Sequence, residues 1–175
     1  MDSIPLESTE EVKDLRVTIH RSLKPSSQCV KAAKKANMIL GMIKRSLTYK
    51  SEDIIVQLYK HLVRPHLEYA IQAWSPWLVS DINILEKVQR RATKLVPRLY
   101  HVDYEERLKV LNLTSLKKRR ERGDMIQLYK ILHGVDLCNL SLNLKMHSAT
   151  RGHSLKLAKP SVKKDVRKHS FTVSD

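Results

Sequence analysis

The sequence is poor in cysteine, glycine and aromatic residues. Its 175 residues include two cysteines, four glycines, two tryptophans and one phenylalanine. Cys29 and Cys138 lie far apart, without a Cys-x-x-Cys spacing, which argues against a disulfide framework and against a zinc knuckle. Four glycines disfavour a turn-rich sheet protein, and Leu, Ile and Val must fill most of the interior. We therefore expect a mainly α protein without a cofactor.

Long apolar runs are also missing. No stretch approaches the roughly 18 apolar residues that a membrane span needs. The first 15 residues, MDSIPLESTEEVKDL, are acidic and lack the apolar core of a secretory signal. We expect an intracellular protein, nuclear or cytoplasmic, that does not insert into a membrane.

Charge is the strongest compositional feature. The chain carries 33 Lys and Arg against 18 Asp and Glu, a formal net charge of +15. Such an excess favours an anionic partner, because neutralising phosphates releases counterions and gives affinity without sequence preference. RNA or DNA, or an anionic membrane surface, would satisfy it. The alternative is a charge excess that only keeps the protein soluble.

Three segments differ in pattern. Residues 1–11 predict a disordered acidic lead, residues 12–134 a helical domain, and residues 135–175 a basic, weakly ordered tail. Within the domain, Leu15, Val17 and Ile19 alternate with polar residues, which predicts one half-buried strand. No second strand of matching quality follows, so we expect this strand to pair outside the chain or to fray.

Apolar residues at three- and four-residue steps predict the helices. We expect Ser26 or Ser27 to cap a helix ending near Leu47, and Ser51 to cap the next, which breaks or kinks at Pro65. Later helices are predicted from Asp81 to about Val96, from Asp103 to about Leu111, and from Thr114 or Ser115 to His133, where Gly134 provides the stop. Met125, Ile126 and Tyr129 in the last of these are expected to face the core.

Two basic clusters are the candidate binding residues. The first lies opposite the apolar seam of the Asp81–Val96 helix, so its members can follow a phosphate backbone together. The second is a dense basic turn at the start of the last helix, where a solvated charged face is an equally good explanation. The first cluster comprises Lys87, Arg90, Arg91, Lys94 and Arg98, and the second Lys117, Lys118, Arg119, Arg120 and Arg122.

Four aromatic residues offer a further possibility for binding. Tyr59, Tyr69, Trp74 and Trp77 have side chains that can stack on bases. Their helical spacing beside Leu62, Leu67 and Ile71 instead favours a place in the core. Trp77 is expected to be the most exposed of the four, because it follows the break at Ser75-Pro76.

The order of several motifs resembles a known family. The most specific are RPHLEYAIQAWSP and LEKVQRRATKL, which are followed by YEERLKVLNLTSLKKRRERGDMIQLYKILHG and TRGHSLKL. Together they resemble the region downstream of the polymerase palm in LINE-type, non-LTR retrotransposon reverse transcriptases of the jockey-like group. The resemblance implies a thumb-like helical bundle and post-thumb segment that hold template and primer beside the palm.

The same resemblance bears on catalysis. The parent enzymes are RNA-directed DNA polymerases that use a Tyr-x-Asp-Asp box in the palm, and this chain contains no adjacent Asp-Asp pair. Glu52-Asp53 and Glu105-Glu106 are the nearest paired acids, but their predicted places in first helical turns explain them without metal ions. We expect a non-catalytic fragment that binds RNA or DNA non-specifically and has no metal site.

Two alternatives remain open at this point. The chain could be a helical protein-interaction module or a non-functional remnant of a decayed element. It could also join a separate reverse transcriptase palm as a partner in trans.

Overall fold

A computed structural model describes residues 8–136, 158, 161–163 and 165–169. The protein is mainly helical, with a two-stranded antiparallel sheet at its N-terminus, which confirms the predicted mainly α class. None of the helices in the described ranges is both long and apolar enough to span a bilayer. The elements are β1 (Glu11–Asp14), β2 (Val17–His20), α1 (Ser26–Ser46), α2 (Glu52–Leu58), α3 (Pro65–Glu68), α4 (Ile71–Trp74), α5 (Val79–Thr93), α6 (Tyr104–Val110), α7 (Leu116–Leu132) and α8 (Asp165–Lys168).

The hairpin corrects the prediction of a single unpaired strand. β1 pairs with β2 in antiparallel register, with Asp14 opposite Val17 and Glu11 opposite His20. Leu15 and Arg16 form the turn with positive φ angles of 42° and 68°. Positive φ at both central residues suits a two-residue hairpin turn, but that turn is normally signalled by Asn-Gly or Asp-Gly. The partner strand therefore precedes the predicted one and begins at Glu11.

The chain remains helical through Pro65, so the break that was one of the two outcomes predicted at Arg64 does not occur. A proline lacks an N–H group, and its ring clashes with the carbonyl four residues earlier in a regular helix. A π-helical turn over Tyr59–Val63 lies immediately before it, and the Arg64 N–H donates to the Tyr59 carbonyl at 2.8 Å. The helix ends at Glu68, because Tyr69 has a ψ of 125° and Ala70 adopts a left-handed conformation with φ 51° and ψ 32°.

Helices α1 and α5 form the centre of the core and run parallel. At their start, the Ser26 hydroxyl donates to Asp81 Oδ2 at 2.6 Å. About three turns later on both helices, Arg91 Nη1 donates to Asn37 Oδ1 at 3.0 Å. Asp81 is therefore a buried partner of α1, and its predicted role as helix cap is wrong because α5 already begins at Val79. Neither Ser26 nor Ser27 caps α1, since both lie inside the helix and α1 has no side-chain cap.

Other predicted helix ends are confirmed. Ser51 accepts from the Ile54 N–H, Asp103 from the Glu105 N–H, and Ser115 from the Lys118 N–H. Gly134 follows α7 with a φ of 66°. Side-chain acceptors at these positions satisfy helix N–H groups that have no partner within the helix.

A buried polar network joins α5 to the segments on either side of it. Gln89 is 1% exposed; it accepts from the Tyr59 hydroxyl at 2.6 Å and donates to the Thr114 carbonyl at 2.9 Å. Glu86 accepts from the Tyr104 hydroxyl at 2.7 Å and from the Leu116 N–H at 3.2 Å. These bonds fix α5 against α6 and against the start of α7.

Aromatic residues fill the core only in part. Tyr59 and Trp74 are 2% and 4% exposed, as predicted, but Tyr69 is 52% exposed, so its predicted core position is wrong. Trp77 is half-buried and stacks on His169, with ring centroids 5.5 Å apart.

The carboxyl-terminal part of α7 departs from its predicted packing. Its buried residues, Leu116 and Arg120, both lie in the first five positions. Met125, Ile126 and Tyr129 are exposed, so the expectation that they face the core is wrong. They lie beyond the part of α7 that packs against α5.

The predicted tail is described only in part. Asp165–Lys168 forms a single helical turn inside the segment predicted to be weakly ordered. The predictions for residues 1–7, 137–157, 159–160, 164 and 170–175 lie outside the described residues.

Candidate nucleic-acid interface

Helix α5 presents one apolar and one basic side. Leu85, Val88 and Ala92 are at most 1% exposed and anchor it in the core. The exposed positions follow the helical period on the opposite side, which is where the sequence placed them. We call Lys87, Arg90, Arg91 and Lys94 the α5 basic face, and all four are exposed.

Contacts with two neighbouring helices bound this face. Arg91 lies at the edge next to α1, where its guanidinium donates to Asn37 at 3.0 Å. Arg90 lies at the other edge, with its Cζ 4.8 Å from the centroid of the Tyr104 ring in α6. Because both side chains are held, their charges are positioned before any ligand arrives, which reduces the entropy lost on binding.

The face continues beyond the end of α5 with weaker net charge. Lys94 Nζ lies 5.6 Å from the centroid of the Tyr100 ring. Arg98 follows in a short 3₁₀ turn and forms an ion pair with Glu52 at 2.5 Å. Arg98 is exposed but its charge is already partly neutralised, so we do not count it among the four residues that define the face.

One carboxylate also acts on the Arg90 edge. The backbone N–H of Glu105 lowers the pKa of Asp103, and Arg107 and Arg90 lower it further. Asp103 therefore remains ionised and opposes an incoming phosphate at this edge. The part of the face that attracts a phosphate most strongly is therefore formed by Lys87, Arg91 and Lys94.

The second predicted cluster is divided by the fold. Arg119 donates to both carboxylate oxygens of Glu68 at 2.5 and 3.1 Å, and this bond raises the pKa of its guanidinium. Arg120 is 6% exposed, and its Nη2 has no hydrogen-bond partner among the described residues. Burial lowers the pKa of Arg120. Arg119 is therefore held by Glu68 and Arg120 is buried, whereas the sequence predicted that both lie at the surface.

The other members of the second cluster are exposed. Lys117 lies 3.9 Å from Glu121, while Lys118 and Arg122 are also at the surface. They belong to α7, which begins against Glu86 and Gln89 of α5. Glu86 lies about a quarter turn, and Gln89 nearly half a turn, from the centre of the α5 basic face, so α7 begins to one side of that face.

The structure adds two lysines from α1. Lys34 and Lys44 are exposed and lie three residues before and seven residues after Asn37, on the stripe that borders α5. The helical period in the sequence shows that they share this side of α1. Only the parallel packing of α1 and α5 shows that this side adjoins the basic face.

The described residues show no grouping that could hold a metal ion through three or more His, Cys, Asp or Glu side chains. Glu52, one of the nearest candidate acids, is paired with Arg98. Cys29 is fully buried, and burial raises the pKa of its thiol to about 12, so it is not a thiolate at neutral pH.

No family model, no curated protein and no solved structure matches the chain.

Proposed function

We propose that the protein binds RNA or DNA non-specifically, through backbone phosphates that lie on the α5 basic face. The observation that carries this proposal is the set of four exposed basic side chains, two of which are held at opposite edges by Asn37 and the Tyr104 ring. Lys87 and Lys94 are separated by about 10.5 Å along the helix axis, enough to reach successive phosphates of a strand.

The resemblance to reverse transcriptase thumb regions supports the same function. In that setting the protein would hold template and primer, and a separate palm would provide the catalytic carboxylates. The proposal assigns no catalytic step to this chain.

The test is the salt dependence of binding to a fluorescent DNA duplex and to a duplex of RNA with DNA. Each phosphate neutralised contributes about −0.9 to the slope of log affinity against log salt for B-DNA. Four contacts from the α5 basic face predict a slope of about −3 to −4. Affinity that stays constant between about 50 and 300 mM salt would contradict binding through phosphates.

Charge reversal locates the site. Lys87→Glu and Lys94→Glu should each weaken binding and reduce the magnitude of the slope by about one. Lys109→Glu makes the same charge change on the exposed side of α6 and serves as the control. Equal losses in all three variants would show that total charge, rather than the α5 basic face, determines affinity.

Exposed apolar residues on α7 favour a second candidate, a helical protein-interaction module. Met125, Ile126 and Tyr129 are 61%, 48% and 59% exposed. A contiguous apolar surface of this kind typically marks an interaction site. Analytical ultracentrifugation of the wild type and of Ile126→Glu tests self-association through this surface. A monomer in both cases would remove that form of the candidate.

A further inference from the structure

A concave basic surface lies between the hairpin, α1 and α3. It encloses about 790 Å³, within the usual range of roughly 300–1,000 Å³ for small-molecule pockets. Among the described residues that line it are Lys13, Arg16, Lys31 and Lys35, with Glu11 and Tyr69. We call this surface the hairpin groove.

Specific hydrogen bonds hold the walls of the groove in place. The Thr18 N–H of β2 donates to Gln28 Oε1 of α1 at 2.9 Å, a contact in which both residues are buried. Across the turn, the Tyr69 hydroxyl donates to the Leu15 carbonyl at 3.1 Å. The hairpin is therefore attached both to α1 and to the end of α3, and the groove exists before a ligand binds.

The charges in the groove are not balanced internally. Lys31 is held by Glu11, with Nζ and Oε2 2.5 Å apart, and this hydrogen bond lowers the pKa of Glu11. Lys13, Arg16 and Lys35 are exposed, and no described carboxylate lies within 4.0 Å of their charged nitrogens. Three cations facing a shared concavity concentrate positive potential there, which attracts a compact polyanion.

Tyr69 adds a recognition element for something other than phosphate. Its side chain is 52% exposed although its hydroxyl is anchored to Leu15. A fixed, accessible aromatic ring provides a surface on which a base can stack. Its position beside three cations matches a ligand that combines an aromatic ring with phosphate groups.

We propose that the hairpin groove binds a nucleoside phosphate, with the base on the Tyr69 ring and the phosphates at Lys13, Arg16 and Lys35. The groove is separate from the α5 basic face, because Lys35 and Asn37 point about 200° apart around α1. The proposal is therefore independent of nucleic-acid binding by α5. The nucleoside phosphate is either a free nucleotide or the phosphorylated end of a strand.

Isothermal titration calorimetry of the full chain with ATP, GTP and inorganic triphosphate tests the proposal. ATP and GTP should bind at least about fivefold more tightly than triphosphate, because triphosphate has no base to stack. Lys35→Glu and Tyr69→Leu should each weaken nucleotide binding by at least about fivefold. Tyr69→Phe keeps the ring and should retain most of the affinity, whereas Lys87→Glu should leave it unchanged.

Several results would overturn the proposal. Equal affinity for ATP and triphosphate would exclude stacking, and an unchanged affinity in Lys35→Glu would place the phosphates elsewhere. Loss of nucleotide binding in Lys87→Glu would assign the nucleotide to the α5 basic face. If nucleotides fail to bind while duplex binding remains sensitive to Lys87→Glu, the hairpin-groove proposal fails alone and the proposed function stands.

A competition experiment distinguishes the two sources of ligand. A short single-stranded oligonucleotide with a 5′-phosphate is compared with its dephosphorylated form as competitor against bound ATP. Stronger competition by the phosphorylated form supports the end of a strand as ligand. Equal, weak competition by both supports a free nucleotide.

Discussion

The buried hydrogen bond between Tyr59 and Gln89 should stabilise the fold, and substitutions of its two partners should have non-additive effects on the free energy of unfolding. Tyr59 is 2% exposed, and burial raises the pKa of its phenol, so the hydroxyl remains a neutral donor. Tyr59→Phe removes this donor and leaves Gln89 Oε1 without it. An orphaned buried polar group costs about 1–3 kcal/mol, so the free energy of unfolding should fall by that amount.

Replacing the other partner should cost more. Gln89→Leu removes two hydrogen bonds. The Gln89 side chain accepts from the Tyr59 hydroxyl at 2.6 Å and donates to the Thr114 carbonyl at 2.9 Å. The Tyr59 hydroxyl is then orphaned in the core, whereas Thr114 is exposed and its carbonyl can reach water, so the predicted loss is about 2–4 kcal/mol. The double variant leaves only the Thr114 carbonyl unpaired, so its loss should fall short of the summed single losses by at least about 1 kcal/mol.

Urea unfolding followed by tryptophan fluorescence measures all three variants, since Trp74 is 4% exposed in the folded protein. Tyr100→Phe is the matched control, because Tyr100 is exposed and the same deletion there should change stability by less than about 0.5 kcal/mol. Additive losses in the double variant, or no loss in Tyr59→Phe, would refute a coupled buried bond.

Three further changes test other parts of the structure. Ala70→Gly should stabilise the protein by about 0.5–1 kcal/mol in chemical denaturation, because Ala70 has φ 51° and glycine removes the left-handed strain. Ser115→Ala should lower the free energy of unfolding by about 1 kcal/mol through loss of the α7 cap, and an unchanged midpoint would argue against the observed cap. Burial raises the pKa of Asp124 above 3.8, and its Oδ1 has no partner among the described residues. The folded protein thus binds this proton more tightly than the unfolded chain, so the carboxylate destabilises the fold above the acidic range. Asp124→Asn should therefore be more stable than wild type at pH 7, and the difference should disappear as the pH falls below about 3.8.

Local sequence patterns predicted most helix ends correctly. Ser51, Asp103 and Ser115 cap helices because the hydrogen bond that each makes lies within three residues of chain. Asp81 has the same local sequence pattern as a helix cap, but it is buried. Its carboxylate accepts a hydrogen bond from Ser26, which lies 55 residues away in the chain. A window along the sequence cannot distinguish these two uses of an aspartate.

The candidate interface shows the same division. The period of α5 was sufficient to place Lys87, Arg90, Arg91 and Lys94 on one exposed side. For α7 the sequence showed only a dense basic turn. The structure separates it, because Glu68 in α3 binds Arg119 and the packing of the helix start buries Arg120.

The sequence by itself determined the helical class, the positive charge and the side of α5 on which that charge lies, because these follow from composition and from contacts within a few residues. Only the tertiary structure decided which charges remain at the surface, since pairing and burial depend on residues distant in the chain. It also decided that the hairpin closes on α1 and forms a basic groove beside Tyr69. The sequence did not predict this hairpin, because its turn, Leu15–Arg16, contains neither of the residues, glycine or asparagine, that usually signal such a turn.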